Sequence, residues 1–364
     1  MKNTLKLLLL LLVLGSCSNE NESIPKENVA VQNNLSLKEG LPPATAIPNV
    51  YSAFTIVQNS LGGSLPKRAR LRINDNTITE LSSINSGANT VAVSNIGDVY
   101  VGGYEEDLSN SYWPNYTKGK IWKNGLNYFT SSIGGEVRSV ITQNNDVYFI
   151  FGNSVYKNNI VLYNLTCQPS NTCSYGNVKL YKIYVYNSDI YVVGGVSSNE
   201  CGKYSVVVWK NGNQTNFFIP QTQIFPEYDA QVDAAIYVDN TGVYITGFFD
   251  GGAKLWKNGI QIVLPTTNLH GSFSKSITGD QSFIYIAASC DYTNDPNENN
   301  MAGRLWKMNK TTGIVTTEKL YVGLRSCVVS NNSSIYVGGW TGIWKNNSIL
   351  YPDYGNFSNC IYVK

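Results

Sequence analysis

The sequence predicts an all-β protein: a single β-propeller of four-stranded blades, seven of them, with six as the alternative. Three observations lead there. The string "AKLWKNG" at 253–259 returns as "KIWKNG" at 120–125, "VVWKNG" at 207–212, "RLWKMN" at 304–309 and "GIWKNN" at 342–347, and a string recurring at a near-constant period marks a structural repeat. Upstream of it runs a second string, "DVYVGG" at 98–103, "DVYFIFG" at 146–152, "DIYVVGG" at 189–195, "GVYITG" at 242–247, "FIYIAA" at 283–288 and "SIYVGG" at 334–339. Finally, the chain stops on "SNCIYVK", which reads as a first strand with no second strand after it.

The elements follow in chain order. Residues 1–16 read as a signal peptide: Lys2 and Lys6 precede an apolar run from Leu7 to Leu14, too short to span a hydrocarbon core of about 30 Å. "LGSC" then resembles a lipoprotein lipobox, which implies that Cys17 is the lipidated first residue of the mature chain. Residues 17–49 are polar, rich in Asn, Glu and Pro, and lack sustained periodicity. Such a stretch buries too little apolar surface to fold alone and reads as a tether. The propeller is assigned to residues 50–364.

Within it, each tyrosine-bearing string is apolar at both parities, Val99 and Val101 on one face and Tyr100 on the other, the mark of a strand covered on both sides. The tyrosines Tyr100, Tyr148, Tyr191, Tyr244, Tyr285 and Tyr336 lie 41 to 53 residues apart. Eight to ten residues before each such strand comes another ("SVITQ", "KIYVY", "AAIYV"), joined to it by Asn-, Asp-, Ser- and Gly-rich turns. Trp-Lys then ends a third strand, and Asn124-Gly125, Asn211-Gly212 and Asn258-Gly259 provide type I′ turns into a fourth. Trp122, Trp209, Trp256, Trp306 and Trp344 are expected to fill the gaps between neighbouring sheets. Three strands near Phe54, at 68–74 and at 77–81 lead the domain, and with the C-terminal strand they make a seventh blade that removes the exposed edges. That unit lacks the Trp, which keeps six blades as the alternative. The repeats resemble the WKNG-bearing propeller lipoproteins of Bacteroidetes-type bacteria over residues 50 to 364. The resemblance implies the fold and an outer-membrane, lipid-anchored address, surface-exposed or periplasmic, and implies no reaction.

Composition narrows function. Without Lys2 and Lys6 the chain has 25 basic and 25 acidic residues, so it lacks the cationic field on which nucleic-acid binding depends. His270 is the single histidine, which excludes multi-His metal sites. No P-loop, dinucleotide fingerprint or Cys-x-x-Cys occurs. A glycosidase needs only a carboxylate pair, so a glycan-active enzyme is the alternative to a non-catalytic binding module for a glycan or protein partner, which is preferred; the chain is expected to be monomeric.

The connections between strands two and three vary most and leave equivalent strand ends, so their residues should share one face. Among them are Glu105, Glu106, Asp107, Tyr112, Trp113, Phe248, Phe249, Asp250, Asp291, Tyr292 and Trp340. Trp113 and Trp340 stand outside the repeat slot and are the candidates for ligand stacking, with Asp250 and Asp291 orienting the ligand and Phe249 beside them. "DYTNDPNEN" offers Asp291, Asp295 and Glu298 as calcium ligands, although turn-forming residues in a plain loop are preferred. Counted back from the repeat tyrosine, Arg138, Lys275 and Arg325 fall at one level with Asp233 and Tyr181, a partly basic ring suited to an anion. Among the cysteines, Cys167 with Cys173, and Cys290 with Cys327, are disulfide candidates; Cys201 and Cys360 remain, and Cys327 with Cys360 stays open.

Overall fold

The computed structural model describes residues 48–57, 67–74, 77–109, 117–166, 178–197, 204–220, 234–249, 252–265, 272–291, 301–320, 327–331, 334–339, 342–346, 348–352 and 357–364. They form seven four-stranded antiparallel sheets, with strands in chain order within each blade apart from the closing one. Blade one comprises Ser86–Val93, Val99–Glu106, Thr117–Lys123 and Leu126–Gly134. Blades two to six span 137–164, 178–220, 234–262, 272–320 and 327–352. Blade seven joins the two ends: Phe357–Val363 pairs with Val50–Val57, followed by Lys67–Ile73 and Thr77–Glu80. The first strands of successive blades touch one another around the ring, including that of blade seven against blade one. The propeller has seven blades.

Two details of the repeat differ from expectation. The second strand of blade seven begins at Val50, and Tyr51 faces Ile73 across the ladder as Tyr100 faces Lys123. Tyr51 is thus a seventh repeat tyrosine, hidden because Ser52-Ala53 replace the usual apolar-Gly ending. Arg72 occupies the tryptophan position of that blade, opposite Ser52. In blade two the position belongs to Tyr156, whose ring stacks on Phe149 at 4.7 Å between centroids with the planes 7° apart. The position therefore accepts a phenol ring as well as an indole.

The recurring string has one physical role per residue. Each tryptophan turns toward the preceding blade: Trp122 clusters with Tyr51 and Leu71, Trp306 with Tyr244 and Leu255. Trp209 Nε1 also donates to the carbonyl of Thr166, just past blade two, at 2.9 Å. Each lysine returns over the strand-two tyrosine, Lys123 lying 5.5 Å from the centre of the Tyr100 ring. In blades one to three the same lysine meets the aspartate opening strand two: Lys123 with Asp98 at 2.7 Å, Lys157 with Asp146 at 2.8 Å and Lys210 with Asp189 at 2.7 Å. The lysine, then the asparagine beside it, hold these carboxyls below the usual range, but exposed pairs of this kind stabilise little. The asparagine contributes more. Asn124 has φ of 51° and Gly125 of 82°, the two left-handed residues of a type I′ turn, and Asn124 Oδ1 accepts the Val99 N–H at 2.8 Å. Asn74, Asn158, Asn211, Asn258 and Asn346 repeat that bond at 2.8–2.9 Å.

The innermost strands position the site. In five blades the register between strands one and two slips by one residue, leaving Asn89, Arg138, Tyr181, Lys275 and Asn359 as the extra residues of β-bulges. A bulge bends the strand and re-aims a side chain. Two of these residues link blades: Asn359 Nδ2 donates to the carbonyl of Ala88 at 2.6 Å and Asn89 Nδ2 to that of Val137 at 3.2 Å.

Candidate functional site

A cleft of about 560 Å³ opens among blades seven, one, two and three. It is lined by strand ends and connections on one face: Lys67 at the start of a third strand, Tyr104 and Thr117 on either side of a strand-two-to-three connection, and Gly134, Gly135, Glu136 and Arg138 where blade one passes into blade two. Asn85, Ile150, Gly152 and Val178 to Leu180 complete the wall. This is the face on which the sequence places the long connections.

Arg138 is the best-defined side chain of the cleft. Its bulge frees it from the strand alternation, and Glu136 Oε1 holds its Nη2 at 2.9 Å. Glu136 is itself anchored, Oε2 accepting from Asn89 Nδ2 at 3.0 Å. Two bulge residues from neighbouring blades thus fix one carboxylate, and that carboxylate orients one guanidinium. Tyr104 packs where a side chain at Gly87 would stand: a Cβ there would lie 2.4 Å from its ring. Lys67 is exposed, its backbone N–H bonded to Asn85 Oδ1 at 2.8 Å. The lining residues carry three cations, Lys67, Arg138 and Lys179, against the carboxylate of Glu136.

The other expected residues distribute as follows. Phe249 is turned inward, 2% exposed, and meets Trp256 edge-on with ring centroids 4.5 Å apart; Phe248 is buried as well. Both belong to the core, because their strand continues in register with strand three as far as Gly252. Tyr181 occupies a bulge but is 3% exposed and packs with Val193, Val206 and Ala234 between blades three and four, so it does not extend the basic ring. Lys275 stands at its bulge, its side chain outside the described residues. In blade four the register is unbroken, Ala234 facing Gly247 and Ala235 facing Thr246, and Asp233 lies outside the described residues. Cys327 faces Gly338, and Arg325 lies outside the described residues.

Trp113, Trp340, Asp250, Asp295, Glu298, Tyr112 and Tyr292 also lie outside them, as do Cys17, Cys167, Cys173 and Cys201, while Asp291 is described only as the strand residue facing Met301. Of the acids described on this face, Glu105 and Asp107 are engaged through their side chains. Glu105 accepts from Ser82 Oγ at 2.5 Å and pairs with Lys120 at 3.0 Å. Asp107 pairs with Lys118 at 3.0 Å, and hydrogen bonds from Ser109 and then Lys118 hold its carboxyl low. Among the described residues no three His, Cys, Asp or Glu side chains gather as metal ligands would. Cys360 carries a free thiol, half-buried beside blade one, which removes its pairing with Cys327; the side chains of Cys290 and Cys327 are outside the described residues.

Counting back from the repeat tyrosine finds Arg138 and Lys275 because the bulge lies a fixed distance from the turn. It misses Asn89, whose turn is one residue longer, and Lys67 and Lys179, which have no counterpart in the repeat.

No protein-family model and no curated protein sequence matches the chain. Among solved structures it is similar to an arabinanase of Bacillus subtilis (13% identity, TM-score 0.32, 56% of this chain and 87% of that one). It is also similar to the Pan2 WD40 domain of Neurospora crassa (11%, 0.43, 71% and 75%) and a Trypanosoma rangeli sialidase (10%, 0.42, 86% and 54%). These are likenesses of chain architecture among proteins of different activities; no chemistry follows from them.

Proposed function

We propose that this chain is a membrane-anchored lipoprotein whose propeller presents a non-catalytic binding face to a glycan or a partner surface protein. The observation that carries the reading is the cleft, which falls within the 300–1,000 Å³ typical of ligand sites and whose carboxylate, Glu136, is committed on both oxygens to orienting Arg138 and bonding Asn89. A carboxylate held in that way is a fixture of a binding surface, whereas a glycosidase works with a pair of acids, one of which must exchange protons with the leaving group. Trp113 belongs to the connection whose two ends, Tyr104 and Thr117, line the cleft. Trp113 and Trp340 supply the stacking contact in this reading, with Asp250 and Asp291 orienting the ligand and Cys17 anchoring the chain to the bilayer.

The test is binding of the full mature chain to a panel of oligosaccharides and to surface proteins, by calorimetry. Trp113→Ala and Trp340→Ala should each weaken binding about thirtyfold, the equivalent of about 2 kcal/mol for an aromatic hot spot, with melting unchanged. Cleavage of a bound oligosaccharide, or unfolding of both variants, would overturn the reading.

A further inference from the structure

We infer that the cleft takes an acidic glycan, seating the carboxylate or sulfate of a sugar residue between Arg138 and Lys67. The inference rests on the binding-face reading and names the ligand class for the same site.

Charge is the first argument. The chain without its first sixteen residues is balanced, 25 basic to 25 acidic, yet the described wall of this cleft sets both Lys67 and Arg138 against the carboxylate of Glu136. On the opposite face, by contrast, the repeat lysines of blades one to three each have an aspartate partner. The cleft departs from that pattern. Among the described residues the Lys67 ammonium has no side-chain partner, and Arg138 spends one Nη2 contact on Glu136 while its remaining N–H groups have none. A guanidinium offers five donors in a planar fork that suits the two oxygens of a carboxylate or sulfate.

Preorganisation is the second. The chain Asn89–Glu136–Arg138 fixes the guanidinium before any ligand arrives, with bonds of 3.0 Å and 2.9 Å across two blades. The pairing lowers the entropy lost on binding without filling the cleft. Concavity is the third argument, and it favours a sugar over an acidic peptide: a volume of about 560 Å³ encloses a short oligosaccharide, and the lining offers Thr117 and Asn85 for hydroxyl groups.

The experiment titrates the full mature chain with an oligogalacturonate and with its methyl-esterified, uncharged counterpart, at low and high salt. The acidic form should bind at least tenfold more tightly, and that preference should fade at 0.5 M salt, since it is electrostatic. Arg138→Gln and Lys67→Ala should each reduce binding of the acidic form about tenfold and narrow its advantage over the esterified form. Lys67 is exposed and outside the core, so its variant remains informative if Arg138→Gln unfolds. Equal binding of both forms, or unchanged binding of the acidic form by Lys67→Ala, overturns the acidic specificity and leaves the binding face standing. Failure of the acidic form to bind overturns the acidic-glycan inference; the protein arm of the panel then decides the binding face separately.

Discussion

Replacing Lys310 by methionine should destabilise the propeller more than the loss of any of the exposed repeat lysines Lys123, Lys157 and Lys210. Blade five lacks the Asn-Gly turn; "KMNKTTG" takes its place and folds around Asn309 Oδ1, which accepts the N–H groups of Thr311 and Thr312 at 2.9 and 3.0 Å. That longer turn carries Lys310 back into the gap between blades four and five. There its ammonium donates to Asp239 of blade four and to the carbonyl of Asp280, 5.3 Å from the centre of the Tyr237 ring. The two side chains are 6% and 10% exposed, so this pair differs from the exposed lysine–aspartate pairs of the repeat. Methionine preserves the apolar stem and strands the carboxylate with Thr241 as its remaining donor, at 2.7 Å from the backbone and 2.5 Å from the hydroxyl. Breaking a buried pair on one side costs about 3–5 kcal/mol. At about 2.1 cal/mol/K of unfolding entropy per residue, over the unit Ile47–Lys364, that corresponds to a fall of about 5–8 °C in melting temperature. Burial pushes the Asp239 carboxyl up, but hydrogen bonds from Lys310 and Thr241 outweigh it and leave the folded value depressed. The stabilisation is therefore present above the unfolded carboxylate value of about 3.9 and is lost as pH falls through the lower folded value. In Lys310→Met burial acts with less opposition, so the carboxylate becomes a liability at neutral pH that protonation relieves. Differential scanning calorimetry at pH 7 and pH 4.5 should show the gap between variant and parent narrowing on acidification, and the double variant Asp239→Asn, Lys310→Met recovering part of the loss. A fall of less than 2 °C at pH 7, or a double variant no more stable than the single one, would refute the clamp.

Three further outcomes are expected. Asn124→Ala removes the acceptor of the Val99 N–H and places a Cβ-bearing residue without a compensating side-chain bond at φ 51°, so urea denaturation should report a loss of about 1–2 kcal/mol; Asn124→Gly, free of the backbone strain, should lose less. Deleting residues 357–364 strips the strand paired with Val50–Val57 and exposes an edge, so the truncated chain should melt well below the intact one, and an unchanged melting temperature would contradict closure by the C-terminal strand. Cys17→Ala should move the protein from the membrane to the soluble fraction of cells if Cys17 is acylated, as read by fractionation and immunoblotting.

The blade count was legible in the sequence because it rests on local, repeated causes. Six copies of a strand-two tyrosine, five tryptophans in one slot and an asparagine able to adopt positive φ each act within one hairpin or across one gap between sheets, so each of those repeats carries its own instruction, and the terminal strands supply the seventh blade. Closure was legible for the same reason: a lone terminal strand such as "SNCIYVK" must find the edge that the first strands leave open. Inward or outward orientation was less so. Phe249 and Tyr181 looked like face residues by position along the chain, but continued pairing of one strand and the packing of the next blade turned both into the core. The cleft belonged to the tertiary structure alone. Lys67, Arg138 and Lys179 come from blades seven, two and three, and closing the ring places blade seven beside blade one, so residues more than a hundred positions apart converge on one opening. Bulges, set by how the innermost strands curve around the axis, then aim Asn89 and Arg138 across a blade boundary. The repeat specified how each blade folds, but charge convergence depends on which non-repeated side chains the closed ring brings face to face.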